Sequence, residues 1–186
     1  MNTTAQSIDL AIKQLTEQFK QHCIKQTGKL PSVEHDSSWP SPCETGAIDA
    51  DGFIHWQPVN IDEALDFKNV EQALGFTIHP DVHTYFSQIY SEAIPASCSE
   101  GNLELLFAWN KDDYERLQQN IIGHVLMKQK LKQEVTIFFA VTDEDDINLV
   151  IKNDSGEVWV EPVGCEPSKL IASNLTEFIN SLSFKS

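Results

Sequence analysis

The sequence predicts a single α+β domain in which helices cover a central, mostly antiparallel sheet. Three observations predict it. Apolar residues recur at helical spacing in the N-terminal, middle and C-terminal parts of the chain. Val135–Val141 (VTIFFAV) is strongly β-prone. The late strand-like runs are joined by short turns, which allow antiparallel but not parallel pairing. The domain spans 1–186, with an N-terminal helix in 1–29, a proline-rich acidic connection in 30–52 and an α+β body in 53–186.

Ser7 to Thr27 reads as a helix, with Ile8, Ile12, Leu15, Phe19 and Cys23 on one stripe and Gly28 as its stop. Pro31, Pro40, Pro42 and Gly46 make the next stretch too proline-rich for a regular element, and Trp39 pins it to the body. Phe53–Trp56 is a short strand ended by Pro58. Asn69 opens a short helix with Gln72 at capping-box spacing, and Gly75 closes it. His79 caps the following helix from outside, Pro80 takes its first position, and Val82, Phe86 and Ile89 form its buried stripe.

Leu103, Leu105, Phe107 and Trp109 alternate along one strand face. Asn110 caps a long helix with Tyr114, Leu117, Ile121 and Val125 inside. Its acids lie at the start and its lysines at the end, as the helix dipole favours. Val135–Val141, Asn148–Lys152 and Glu157–Val163 follow as three strands, the last two joined by the turn Asn153–Gly156. Ser173 or Asn174 caps a last helix that buries Leu175, Phe178, Ile179 and Leu182.

Charge is the other strong signal. The formal net charge is −15. Between Leu30 and Phe67 lie eight carboxylates (Glu34, Asp36, Glu44, Asp49, Asp51, Asp62, Glu63 and Asp66) and no lysine or arginine. Asn69 to Asn110 adds five more, again with no basic residue. Such a surface repels nucleic acid and favours a cationic partner. The N-terminus lacks a basic n-region and a continuous apolar h-region, and no window is apolar enough to span a bilayer, so a soluble, cytoplasmic protein is expected.

Catalytic signatures are absent. No G-x-S-x-G, P-loop or G-x-G-x-x-G occurs, and no cofactor is expected. His79 and His83 in HPDVH have zinc-like spacing, but Pro80 sets His79 outside the helix and no third ligand is nearby, so no metal is expected. Cys23, Cys43, Cys98 and Cys165 show no C-x-x-C pair and read as free thiols. The acidic stretch around Cys43 would raise its thiol pKa. The pairs within Asp112–Asp113 and Asp143–Asp146 read as helix cap or solvated charge.

SPC at Ser41, HWQP at His55, NVEQALGFTIHPDVHTYF, W-x-x-DDYERLQQNIIGH, QKLK, NDSGEVWVE and ASNLTEFI resemble the Syd protein family, in order, from about Ser41 to Leu182. The first forty residues match only as a helix and a linker. Glu71, Leu74, Gly75, Ile78, Pro80, Tyr85 and Phe86 are also similar to the wider SUKH superfamily, with His79 intervening before the proline. The resemblance implies a SUKH-like α+β fold and a non-enzymatic protein. It implies binding of an acidic concave face to basic cytosolic loops of SecY, the bacterial Sec translocase channel, in regulation or quality control. Membrane association is then indirect and peripheral, through SecY on the cytoplasmic side. The acids inside matching motifs are Glu71, Asp112, Asp113, Glu144, Glu157 and Glu161, with Glu157 and Glu161 expected on one side of a hairpin. Asp113 could equally cap its helix, and Glu71 could complement a helix dipole. The rival reading is a SUKH-type immunity protein that neutralises a basic toxin.

Overall fold

The computed structural model describes residues 7–185. Residues 1–6, read above as part of the N-terminal segment, lie outside it, as does Ser186. Helix α1 (Ile8–Thr27) buries Ile8, Ala11, Ile12, Leu15, Thr16 and Phe19, and it stops at Gly28 in the left-handed conformation. Cys23, expected on the same stripe, is only half-buried.

Residues 30–52 are more regular than their prolines suggest. β1 (Ser32–Glu34) and β2 (Glu44–Thr45) flank β3 (Phe53–Trp56) in a small antiparallel sheet. Pro31, Pro40 and Pro42 all fall outside the paired residues, so no ladder bond is lost. β4 (Val59–Asn60) pairs with β5 (Ile89–Tyr90), which brackets the helices α2 (Lys68–Leu74) and α3 (Pro80–Ser87).

Asn69 does not cap α2. It lies inside the helix and donates from Nδ2 to Gln118 Oε1, while the Asp66 carboxylate accepts from the Lys68 N–H. At α3 the expectation holds: His79 Nδ1 accepts from the Asp81 N–H, with Pro80 at the first position. Asn110 and Asn174 cap as expected, each accepting at 2.8 Å from an N–H three residues on.

The central sheet is a six-stranded antiparallel meander in chain order: β6 (Ile94–Cys98), β7 (Gly101–Leu105), β8 (Thr136–Thr142), β9 (Ile147–Lys152), β10 (Val158–Pro162) and β11 (Lys169–Ala172). Its two edge strands carry no strand pattern in the sequence. IPASC carries a proline and small residues, and KLIA is short and half exposed. The strand expected over 103–109 stops at Leu105, although Phe107 and Trp109 stay buried.

Helix α4 (Lys111–Lys130) separates β7 from β8 and covers one sheet face, where its His124 ring meets Phe138 at 5.4 Å. On the other face Phe139 meets Tyr85 of α3 at 5.6 Å and Phe178 of α5 (Leu175–Asn180) at 5.5 Å. α1 packs against α3 and α5. With both faces covered, every residue of β8 and β9 is buried or half-buried, which is why VTIFFAV shows no polar alternation. Each fully buried side chain such as Phe86 or Phe139 contributes about 1.5–3 kcal/mol.

Candidate partner-binding site

The small sheet and the start of α4 enclose an acidic hollow. It has a volume of about 170 Å³ and is lined by Glu34, Asp36, Glu44, Glu92 and Asp113 with Val33, Trp39, Trp109 and Arg116. Chain geometry explains each placement. β1 carries Glu34 to the rim. Asp36 then turns the chain by accepting from the Ser38 N–H at 2.8 Å and its hydroxyl at 2.6 Å. Glu44 leads β2 and lies 2.7 Å from His35 Nδ1, while its other oxygen accepts from the Ser41 N–H.

Three bonds clamp this loop to the top of α4. Trp109 Nε1 donates to the Trp39 carbonyl, Asn110 Nδ2 to the Pro40 carbonyl and the Ser41 hydroxyl to the Trp109 carbonyl. Trp39 therefore does pin the connection to the body. Asp113, at the third position of α4, accepts from the Trp109 N–H at 2.8 Å and from Arg116 at 2.6 Å. The Arg116 guanidinium also lies 5.7 Å from the Trp39 ring centroid.

Chemically, this surface is complementary to a cation. Five carboxylates face one guanidinium, so the hollow holds a negative potential. The Trp39 face adds cation–π attraction, and Arg116 shows that a guanidinium fits against it. Glu34, Asp36 and Glu44 belong to the run without a counter-ion between Leu30 and Phe67, and Glu92 to the run from Asn69 to Asn110, but none of the four lies inside the motifs that carry the family resemblance.

The six acids named from the sequence do not form one patch. Asp113 lines the hollow but is buried, and Asp112 is its exposed neighbour in the first turn of α4. Glu71 turns inward, accepting from the Ile78 N–H at 3.0 Å and lying 3.4 Å from His83. Glu144 is exposed on the turn between β8 and β9. Glu157 accepts from Trp159 Nε1 at 3.0 Å.

Glu161 must be corrected. Only 1 % of it is exposed, so it cannot meet a partner. Its carboxylate pairs with Lys128 Nζ at 3.0 Å and accepts from the Thr136 hydroxyl, while Lys128 also donates to the Cys165 carbonyl. The expected shared face with Glu157 fails because Glu157 precedes β10 and does not follow its pleat. Burial pushes the Glu161 carboxyl up, against the lowering effect of Thr136 and Lys128. Nearby His124, 3.2 Å from the Thr136 hydroxyl, is pushed down to about 4, first by burial and then by the Lys128 charge.

HPDVH divides its histidines between two jobs. His79 caps α3, and His83 packs edge-on against Phe67 at 5.3 Å beside Glu71. Among the described residues no group of three or more His, Cys, Asp or Glu could hold a metal ion. The Cys43 thiol is pushed up to about 11, chiefly by burial, with Glu92 and Glu44 adding to the rise. The acidic surroundings read from sequence are thus the lesser cause.

The family model described as Syd protein (SUKH-2) matches residues 9–183 of the chain. The chain belongs to the Syd family. Protein Syd of Colwellia psychrerythraea is 50 % identical over 194 residues, covering 100 % of this chain and 96 % of that protein. Protein Syd of Pseudoalteromonas atlantica is 41 % identical, covering 86 % of this chain and 87 % of its own length. Protein Syd of Alteromonas mediterranea is 44 % identical, covering 84 % and 86 %. Among the described residues of this Syd-family chain, no helix is long and apolar enough to cross a membrane.

Proposed function

We propose that this Syd-family chain is a non-enzymatic cytoplasmic protein that docks on basic cytosolic loops of the SecY channel, in regulation or quality control of the Sec translocase. The observation that carries the reading is the convergence of Glu34, Asp36, Glu44, Glu92 and Asp113 on one tryptophan-walled hollow. Cytoplasmic loops of inner-membrane proteins are rich in lysine and arginine, the complementary charge. The exposed rim acids Glu34, Asp36 and Asp112 supply the long-range attraction, with Glu144 and Glu157 as outlying charge. Trp39 would receive a lysine or arginine side chain beside Arg116. Membrane association is then peripheral and indirect.

The test is co-sedimentation with SecY-containing membranes at low and high salt. Wild type is compared with a Glu34→Gln, Asp36→Asn, Glu92→Gln, Asp112→Asn variant, whose altered side chains are all outside the core. Wild type should sediment at low salt and be released at high salt, because exposed charge is screened over about 8 Å at physiological ionic strength. The variant should stay in the supernatant. Equal sedimentation of both would remove the hollow as the contact. The SUKH-type immunity reading predicts a soluble basic toxin, with no SecY, recovered on the same hollow.

A further inference from the structure

A larger groove opens elsewhere on the molecule and shares no lining residue with the acidic hollow. Its volume is about 680 Å³, and α1, β6, β7 and β8 form its walls. The tail after α5 runs along its wall and supplies Phe184 and Lys185 to its lining. After Leu182, which is buried, Ser183 pairs with the edge strand β6: the Ser97 N–H donates to the Ser183 carbonyl at 2.8 Å and the Ser183 N–H to the Ser97 carbonyl at 3.0 Å. Phe184 then lies against Phe19 at 5.9 Å and His22 at 5.7 Å. Lys185 Nζ donates to Asn102 Oδ1 at 3.1 Å.

We propose that this tail is a resident competitor, and that the groove takes an extended segment of a partner protein carrying an aromatic or large aliphatic side chain next to a lysine or arginine. The tail itself displays that chemistry. A backbone pair reads the edge of β6, an aromatic ring reads Phe19 and His22, and an ammonium reads the polar lip. The groove's charge agrees. Glu104 and Asp143 line it, Glu144 to Asp146 follow Asp143, and Lys185 is the sole lysine or arginine among its described lining residues.

The tail is held lightly enough to be exchanged. Residues facing the open edge alternate along β6, so the next after Ser97 is Pro95, which has no N–H to extend the ladder. Phe184 is only half-buried and Lys185 is exposed. Release needs no change in α5, because the pivot falls just after Leu182. The apparent affinity for the competing segment scales with the fraction of chains whose tail is released, so a tail bound nine-tenths of the time lowers it about tenfold.

The probe is a labelled peptide with the sequence of residues 181–186 followed by Arg-Lys, titrated by fluorescence anisotropy. Its targets are the full chain, a Phe184→Ala chain and a chain ending at Leu182. Both altered chains should bind at least tenfold more tightly than the full chain, and a peptide with Ser in place of Phe should bind none of them. Equal affinity for all three chains, or equal binding of the Ser peptide, overturns the proposal. Should the altered chains fail to fold, amide NMR of the unaltered chain decides. Saturating peptide should move the Ser183 and Lys185 signals to free-tail positions. Unmoved tail signals overturn the proposal.

Discussion

Lys128 Nζ lies 3.0 Å from Glu161 Oε2, and neither side chain reaches water. The pair joins α4 to β10 through the covered face of the sheet, with Thr136 and the Cys165 carbonyl completing its hydrogen bonds. Desolvation makes such a pair a poor source of net stability, but breaking it strands a buried charge.

Glu161→Ala should therefore lower the free energy of unfolding by about 3–5 kcal/mol. Urea denaturation followed by circular dichroism measures it. A loss under about 1 kcal/mol would mean that Lys128 finds another partner or water, which the closed geometry does not offer.

His124 should make stability fall with acid. Burial and then the Lys128 charge hold its folded pKa at about 4, below the ordinary 6.5 of a free imidazole, so the unfolded chain takes up the proton first as pH drops. The stability it contributes is full above about 6.5 and is lost progressively as pH falls to about 4, by about 3 kcal/mol in all. Glu161 works in the opposite sense, since its raised pKa favours the folded state at low pH. Subtraction of a His124→Gln variant isolates the histidine. Wild type should lose about 3 kcal/mol more than the variant between pH 7 and pH 4. Parallel curves would show that the imidazole reaches solvent.

Gly156 ends the β9–β10 turn at φ 77°, and a Cβ there would stand 2.6 Å from His79 Nε2. The same turn is tied to the α2–α3 connection by Asn153, which accepts from the His79 N–H at 2.8 Å and donates to the Thr77 carbonyl at 3.0 Å. Gly156→Ala should destabilise the fold by more than the roughly 1 kcal/mol of a left-handed backbone alone, because the His79 ring must also move. Gly164→Ala is the control: it has φ 77° with nothing within 4 Å of the new Cβ. Equal melting temperatures for the two variants would show that the ring yields freely.

Asp113→Ala and Asn110→Ala should each cost about 1–2 kcal/mol, as the lost cap leaves backbone N–H groups without partners. The two share one capping motif, so the double variant should cost less than the sum. Thermal melts of the three chains test this. Additive losses would mean that the caps act independently.

Features set by local information are legible in the sequence. Helix caps at His79, Asn110 and Asn174 depend on residues within three positions, and the stripe of α4 on its own period. The sheet edges are not legible in the same way. β6 and β11 exist because a neighbouring strand offers them a ladder, and neither IPASC nor KLIA has the pattern to say so. Asn69 shows the same limit. Its capping-box spacing predicts a helix start, but α2 begins at Lys68 and the Asn69 side chain bonds Gln118 of α4, distant in sequence.

For the candidate site, the chain alone determined that a long one-signed stretch exists and that a cationic partner suits it. Only the tertiary structure decided which acids meet. It turned Glu161 inward onto Lys128, tied Glu71 to the Ile78 amide, and gathered Glu34, Asp36 and Glu44 with the distant Glu92 and Asp113 around Trp39. The physical reason is that charge sums along the sequence, whereas burial and proximity depend on which elements pack across it. A carboxylate's role is fixed by what lies opposite it in the fold.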